Sequence, residues 1–418
     1  MKKNVQPRIL YAEEDGNIFD HPELRLLCRK GEHVLPPGPK DIVPLPEGSD
    51  IFLLPDRMAL GLNPESGEFE YLEANAVAAF VSPGYTLTGS AAYLSDEDAG
   101  PLPLFAYGAV GYADGTFWVC ANRTDSDPRQ QFGDIPEQAI ERGARTLLKQ
   151  YPENRLVQHL AHCALEYCCP AAKNLALGRY EAPLPTAAGC NANCVGCISR
   201  QPQDSQFPPT QERIRFRPAP EEITQIMHAH ARSEAKPIFS FGQGCEGEPL
   251  TEAETIRRAV ADYRDKGGRG TVNINTNASL PDTMAPLARA GVSSIRVSLN
   301  SVRSELYTPY FRPSGYSFGD VRATIRAAKE QGLFVSLNYL YFPGVNDTEE
   351  EFEALADLVE STGLDFIQLR NLNLDPELYF RIIPAPKTPA MGLANFRKRL
   401  RKLFPWLEFG YFNPYLGG

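Results

Sequence analysis

The segment Cys190-Asn191-Ala192-Asn193-Cys194-Val195-Gly196-Cys197 places three thiols within eight residues. Three thiolates on one loop suit a cubane 4Fe–4S cluster, because they leave one iron without a protein ligand and free to bind a substrate or cofactor. A zinc ion is the alternative, and it would need a fourth ligand from a distant part of the chain. About fifty residues further on, Gly244-Cys245-Glu246-Gly247-Glu248-Pro249 puts two carboxylates in a glycine-rich turn. Such a turn exposes backbone groups, and a carboxylate beside it can accept the hydrogens of an ammonium ion. Taken alone it is an ordinary acidic turn. Asn273-Ile274-Asn275-Thr276-Asn277 and Arg296-Val297-Ser298-Leu299-Asn300-Ser301 add amides and hydroxyls where strands should end. By alternation Ser298 and Asn300 share one side of their strand. Polar residues at strand ends are also common turn formers.

The C-x3-C-x2-C spacing, followed by Glu246-Gly247-Glu248-Pro249, resembles the radical S-adenosylmethionine (radical SAM) superfamily, with Glu246 at the first position of that family's Gly-Gly-Glu-Pro motif. The resemblance covers roughly residues 184 to 372. It implies one 4Fe–4S cluster on Cys190, Cys194 and Cys197, and S-adenosylmethionine held by Glu246, Gly247, Glu248 and Pro249. Glu248 is then the ammonium partner. Asn275, Asn277, Ser298 and Asn300 would serve the ribose and the methionine carboxylate, with Asn338, Gln368 and Arg370 as further pocket residues. The implied reaction is reductive cleavage of S-adenosylmethionine to a 5′-deoxyadenosyl radical, which abstracts hydrogen from an unidentified substrate, in an oxidoreductase or a transferase. A reducing partner such as flavodoxin or ferredoxin would supply the electron. One departure is Gly196, where the family has an aromatic residue against the adenine, so Tyr339 or Tyr341 is expected to take that place. The alternative class is a non-catalytic iron–sulfur or zinc protein on the same scaffold.

Other thiols invite bland readings. His159, His162, Cys163, Cys168 and Cys169 are ligands enough for a metal, yet His159 and Cys163 lie one helical turn apart beside Leu156, Leu160 and Tyr167, which favours packing. Cys168 and Cys169 are adjacent, so their side chains should diverge. Cys28 and Cys120 read as core residues. Cys245 is the one candidate hydrogen donor facing a substrate, with an inert place lining the barrel preferred.

These residues need a scaffold. The chain has 418 residues, enough for a large core and more than one domain. No stretch approaches the roughly 20 apolar residues that cross a bilayer. The start, with Lys2 and Lys3 and no apolar run behind them, does not read as a signal peptide. A net charge of −10 argues against a broad nucleic-acid surface, and nine cysteines suit thiols and metal ligands in a reducing compartment. A cytoplasmic protein is expected.

The fold class expected is α/β: a partial (β/α)6 TIM-like barrel with a β-rich N-terminal domain and a C-terminal helix plus aromatic tail. Residues 1–135 carry short apolar runs (Ile51–Leu54, Ala76–Val81, Leu104–Tyr107, Thr116–Cys120) between turns. Residues 136–183 form a helical connector with Ile140, Ala144, Leu147, Leu148 and Tyr151 on one face. Residues 184–372 form the barrel, with strands just before Cys190 and at Pro237–Phe241, Thr271–Ile274, Ser294–Leu299, Phe334–Tyr341 and Phe366–Leu369. Capping boxes are expected at Thr251/Glu254, Ser279/Asp282 and Thr348/Glu351, and helix stops at Gly291, Gly332 and Gly363. Residues 373–418 hold a helix with an apolar stripe (Phe396, Leu400, Leu403, Phe404), a basic set (Arg397, Lys398, Arg399, Arg401, Lys402) read as solvated, and a tail, Phe409 to Tyr415, expected to dock on the barrel.

Overall fold

A computed structural model describes residues 5–202 and 205–417. Lys2 and Lys3 lie outside the described residues. The fold is mixed α/β. The N-terminal part is a 12-stranded antiparallel assembly, dominated by two long paired strands, Asp50–Leu62 and Phe69–Phe80. Three of the four expected runs fall in or at strands. Leu104–Tyr107 does not: it follows Pro101 and Pro103, which cannot donate to a ladder, and Leu104 packs into the core of the second half of the chain. The strand there is Gly108–Ala113.

Helices α1 (Glu137–Gln150), α2 (Arg155–Leu165) and α3 (Pro170–Ala176) form the connector. Seven strands then pair in sequence order, all parallel: Glu181–Pro183, Ile238–Phe241, Thr271–Thr276, Ser294–Leu299, Phe334–Tyr341, Phe366–Asn371 and Glu408–Gly410. Six were expected. The seventh comes from the aromatic tail, and the first begins at Glu181, ahead of position 184. Helices α4 (Pro220–Ser233), α5 (Ala253–Asp265), α6 (Met284–Ala290), α7 (Ser304–Phe311), α8 (Phe318–Glu330) and α9 (Glu349–Thr362) connect the strands. They are followed by α10 (Pro376–Ile382) and α11 (Leu393–Leu403). No helix among the described residues is long and apolar enough to cross a membrane.

Strand alternation separates two environments. Phe239, Phe241, Val272, Ile274, Ile295, Val297, Leu337 and Tyr339 pack on the helices in one continuous core, each large apolar side chain contributing roughly 1.5–3 kcal/mol by leaving water. The other face is polar and concave: Asn413 bonds both Ser240 on the second strand and Gln368 on the sixth, four strand spacings or about 19 Å apart in a flat sheet, and Arg296 on the fourth strand donates to Gln368 Oε1 (3.1 Å). The tail closes one end of this face. Asn413 donates to Glu181 Oε1 (2.9 Å) and Ser240 Oγ (3.3 Å), accepts from Gln368 Nε2 (2.9 Å) and, through its carbonyl, from Arg129 (2.9 Å).

Helix ends follow the expected glycines, with Gly291 and Gly363 left-handed at φ 106° and 66°. The expected capping boxes do not form. Thr251 donates to the Glu248 carbonyl, Ser279 hydrogen-bonds Asn277 and Asn191, and Glu351 is buried under Ser301, Val302 and Tyr339. On α11, Phe396 and Leu400 are buried while Leu403 is exposed. Part of the basic set is engaged within the fold: Arg399 pairs with Glu349 (2.5 Å), and Arg397 and Arg401 lie over Phe409.

Candidate functional site

The three sequence motifs meet at the C-terminal ends of the first three strands. Gly247 N–H donates to the Ala187 carbonyl (2.7 Å) and Glu248 N–H to the Gly189 carbonyl (2.9 Å), so the acidic turn is laced to the segment entering Cys190. A Cβ at Gly247 would overlap the Gly189 carbonyl, which is why glycine stands there. Asn277 N–H donates to Glu248 Oε2 (2.7 Å), and Asn277 Nδ2 to Asn191 Oδ1 (2.8 Å) inside the cysteine loop. On its far side the loop is pinned by Val195 N–H to the Tyr310 carbonyl (2.9 Å).

The thiols of Cys190, Cys194 and Cys197 are half-buried. Burial, then the neighbouring thiols, pushes Cys194 well above the ordinary thiol range, and burial raises Cys190. Arg213 offsets this crowding by donating to Cys197 Sγ (3.3 Å), and its other terminal nitrogen, Nη1, is buried without a partner among the described residues. A guanidinium beside three thiols with donor capacity to spare fits an anionic metal–thiolate group.

The two carboxylates differ in role. Glu246 is buried and accepts four backbone N–H groups: Thr186 (2.7 Å) and Ala187 (2.9 Å) on Oε2, Gly242 (2.5 Å) and Gln243 (3.0 Å) on Oε1. It ties the ends of the first two strands together and has no capacity left for a cofactor. Glu248 accepts from Thr276 Oγ1 (2.5 Å) and Leu250 N (3.0 Å) on Oε1, and from Asn277 N on Oε2, which keeps one lone pair free. Burial raises both carboxyls to about 7, the hydrogen bonds opposing. Pro249 opens the short turn of helix that follows.

On the concave face Asn338 Nδ2 donates to Ser298 Oγ (3.1 Å) and Asn273 Nδ2 to Asn275 Oδ1 (2.7 Å). Asn275 Nδ2, Asn338 Oδ1 and Arg296 Nε are buried without partners among the described residues. Each such atom costs about 1–3 kcal/mol, a cost that a polar ligand on this face would remove. Arg296, lowered to about 9 by burial and then by Arg370, is not among the expected site residues, because only the sheet pairing brings Gln368 within its reach.

Several expected residues lie elsewhere. The fourth strand ends at Leu299, so the alternation stops there. Asn300 turns into the packing, donating to the Leu306 carbonyl (2.9 Å) and Tyr379 Oη (3.1 Å). Gln368 and Arg370 are engaged by the tail, Arg370 donating to the Tyr411 carbonyl. Tyr339 and Tyr341 are buried on the helix side of the fifth strand, away from Ser298 and Asn338. The residue that takes the space beside Gly196 is Tyr310, whose hydroxyl a Cβ at Gly196 would overlap. Cys245 points away from the concave face into a buried cluster with Ile140, Cys163, Ala164 and Ala172, so it is not placed as a donor to a substrate there. Cys28 and Cys120 are core residues as expected.

Residues 184–359 match the family described as the Radical SAM superfamily. The GTP 3′,8-cyclase of Petrotoga mobilis is 28% identical over 196 residues, 46% of this chain and 52% of the relative. The probable GTP 3′,8-cyclase of Aeropyrum pernix is 33% identical over 122 residues, 28% of this chain and 32% of the relative. The chain thus spans about half the length, or less, of the curated relatives it matches. Among solved structures, a radical SAM methyltransferase from Sphaerobacter thermophilus aligns over 56% of this chain and 67% of its own, at 19% identity and a TM-score of 0.39. On the family match and the curated relatives, residues 184–359 form a radical SAM domain, which marks an enzyme of that type.

Proposed function

We propose that the protein is a radical SAM enzyme whose Cys190, Cys194 and Cys197 hold one 4Fe–4S cluster, with S-adenosylmethionine bound between that loop and the concave face. The observation that carries this reading is the direct hydrogen bonding of the cysteine loop to both the Glu248 turn and the Asn277 strand end. When bound, cluster and S-adenosylmethionine supply one-electron cleavage to a 5′-deoxyadenosyl radical. The chain's own part is to hold and orient. The free lone pair of Glu248 receives an ammonium hydrogen, while Asn275, Ser298 and Asn338 offer amides and a hydroxyl to a ribose or carboxylate. Glu246, Asn277 and Arg213 position the loops. Gly247 and Pro249 shape the turn, and Asn300 acts through packing. A flavodoxin or ferredoxin is the proposed electron donor.

The relatives' GTP chemistry is not carried over, because only their shared half is represented here. Arg296 and its unpartnered Nε support a substrate with an acidic or other acceptor group. The test is anaerobic reconstitution with iron and sulfide, reduction by dithionite, and quantification of 5′-deoxyadenosine. About four irons per chain and slow turnover without substrate are expected, both lost when the three cysteines are changed to Ala. Stoichiometric zinc at this loop with no 5′-deoxyadenosine under any reductant would support the non-catalytic alternative.

A further inference from the structure

A second group of ligands lies away from the cysteine loop. His159 and Cys163 sit one turn apart on α2 and so share a face, and the chain's long-range folding brings Cys245 from the loop after the second strand to meet them. One ligand atom from each of the three lies within 4.8 Å of the other two. The Cys163 Sγ to His159 Nε2 separation is 3.5 Å. Zinc bonds of about 2.3 Å to sulfur and 2.0 Å to nitrogen at a tetrahedral angle require a separation of about 3.5 Å. Cys163 and Cys245 are buried, and the wall around them is apolar, built from Ile140, Ala164 and Ala172. Cys169 lies outside that group of three but packs against the same wall, and its backbone N–H donates to the Cys163 carbonyl (3.0 Å), which holds it at the rim, whereas Cys168 is exposed.

We propose that His159, Cys163 and Cys245, with the Cys169 side chain turning in from the rim as fourth ligand, bind a single zinc ion that staples the helical connector to the turn carrying Glu246 and Glu248. Three thiolates and one imidazole make a closed structural set. The ion adds no chemistry of its own. Its place, one residue before Glu246, fixes the turn that laces the cysteine loop.

The test separates this site from the cluster loop by using the full chain with Cys190, Cys194 and Cys197 changed to Ala. Titration with Co2+ is expected to give one equivalent with tetrahedral visible bands and strong sulfur-to-cobalt charge transfer. Cys163→Ser or Cys245→Ser should weaken binding at least about 100-fold, and Cys169→Ser should lower the charge-transfer intensity by about a third as three thiolates become two. Sub-stoichiometric cobalt, or binding indifferent to Cys245→Ser, overturns the proposal. In case the triple variant does not fold, the second measurement uses the wild-type chain with its cluster loaded. It should retain one Zn2+ per chain by elemental analysis after desalting, and none once Cys245→Ser is introduced. Zinc content that is absent, or unchanged by Cys245→Ser, also overturns the proposal.

Discussion

At the scale of single residues, Glu248 couples binding to pH. Burial raises its carboxyl to about 7, so near neutrality a substantial fraction is protonated in the free protein. A cationic ammonium at Oε2 favours the carboxylate, so binding releases a proton and affinity for S-adenosylmethionine should rise with pH from 6 to 8. Glu248→Gln should lose that part of the dependence and weaken binding by about 1.5–3 kcal/mol, the scale of a hydrogen bond to a charged group. The ligand's own amine titrates in both proteins and cancels in the comparison. Equilibrium binding at several pH values to the reconstituted protein is the measurement, and parallel curves for the two proteins would remove Glu248 as the ammonium partner. Gly196 offers a second test. Gly196→Ala must displace the Tyr310 hydroxyl, an overpacking that should cost about 1–3 kcal/mol. Tyr310→Phe removes the blocking oxygen, so the double variant should recover about 1 kcal/mol as a coupling energy in urea denaturation.

Among the elements, the parallel strands were legible because they are short apolar runs between helical segments, and the polar residues at their ends stood out against them. Their partners were not legible. Glu246 and Glu248 look alike in the turn, and only the approach of residues 186–187 and 276–277 makes one a structural tie and the other a carboxylate with a free lone pair. Ser298 stayed on the concave face while Asn300 left it, since the strand ended between them. His159 and Cys163 read as a packing pair, and Cys245, more than eighty positions away, is what makes them a group. The tail was expected to dock, but its use as a seventh strand and as a plug rests on contacts no local pattern encodes. Asn413 carries much of that docking. Asn413→Ala removes its side-chain hydrogen bonds to Glu181, Ser240 and Gln368 and leaves those buried groups short of partners, so it should destabilise the chain by about 2–4 kcal/mol. Thermal unfolding checks this, and a shift within about 0.5 kcal/mol would mean that strand pairing and the backbone contacts of Tyr411 and Asn413 hold the tail without the Asn413 side chain.

For the whole molecule, the question is how the β-rich N-terminal part and the parallel-sheet part are joined. One set of contacts lies at the C-terminal ends of the fifth and sixth strands, the same end that carries the candidate site, and another joins Asp125 and Arg129 to the tail. Gly31 N–H donates to the Pro343 carbonyl (2.9 Å), Thr86 Oγ1 to the Leu369 carbonyl (2.8 Å), and Leu87 N–H to Asn371 Oδ1 (2.8 Å). At the centre Asp375 caps α10, accepts from Leu102 N–H (2.8 Å) and faces Arg57 at 3.5 Å, both charges buried. Removing one partner of a buried pair leaves the other charge uncompensated, at a cost of about 3–5 kcal/mol. That cost falls on the junction, not on either interior, so it should change cooperativity as well as stability. The chain has two tryptophans, and they report the two halves separately: Trp118 lies in a strand of the N-terminal sheet, Trp406 beside the seventh parallel strand. Single-tryptophan variants of the otherwise native chain should unfold in urea with coincident curves, the sign of one cooperative unit. With Asp375→Ala the Trp118 curve should move to lower urea ahead of the Trp406 curve, because the antiparallel assembly loses its anchor while the parallel sheet keeps its own core. If both curves stay coincident and shift by less than about 1 kcal/mol, Asp375 is not the residue that couples the halves, and the Asn371 contacts to Tyr85 and Leu87 become the next pair to remove.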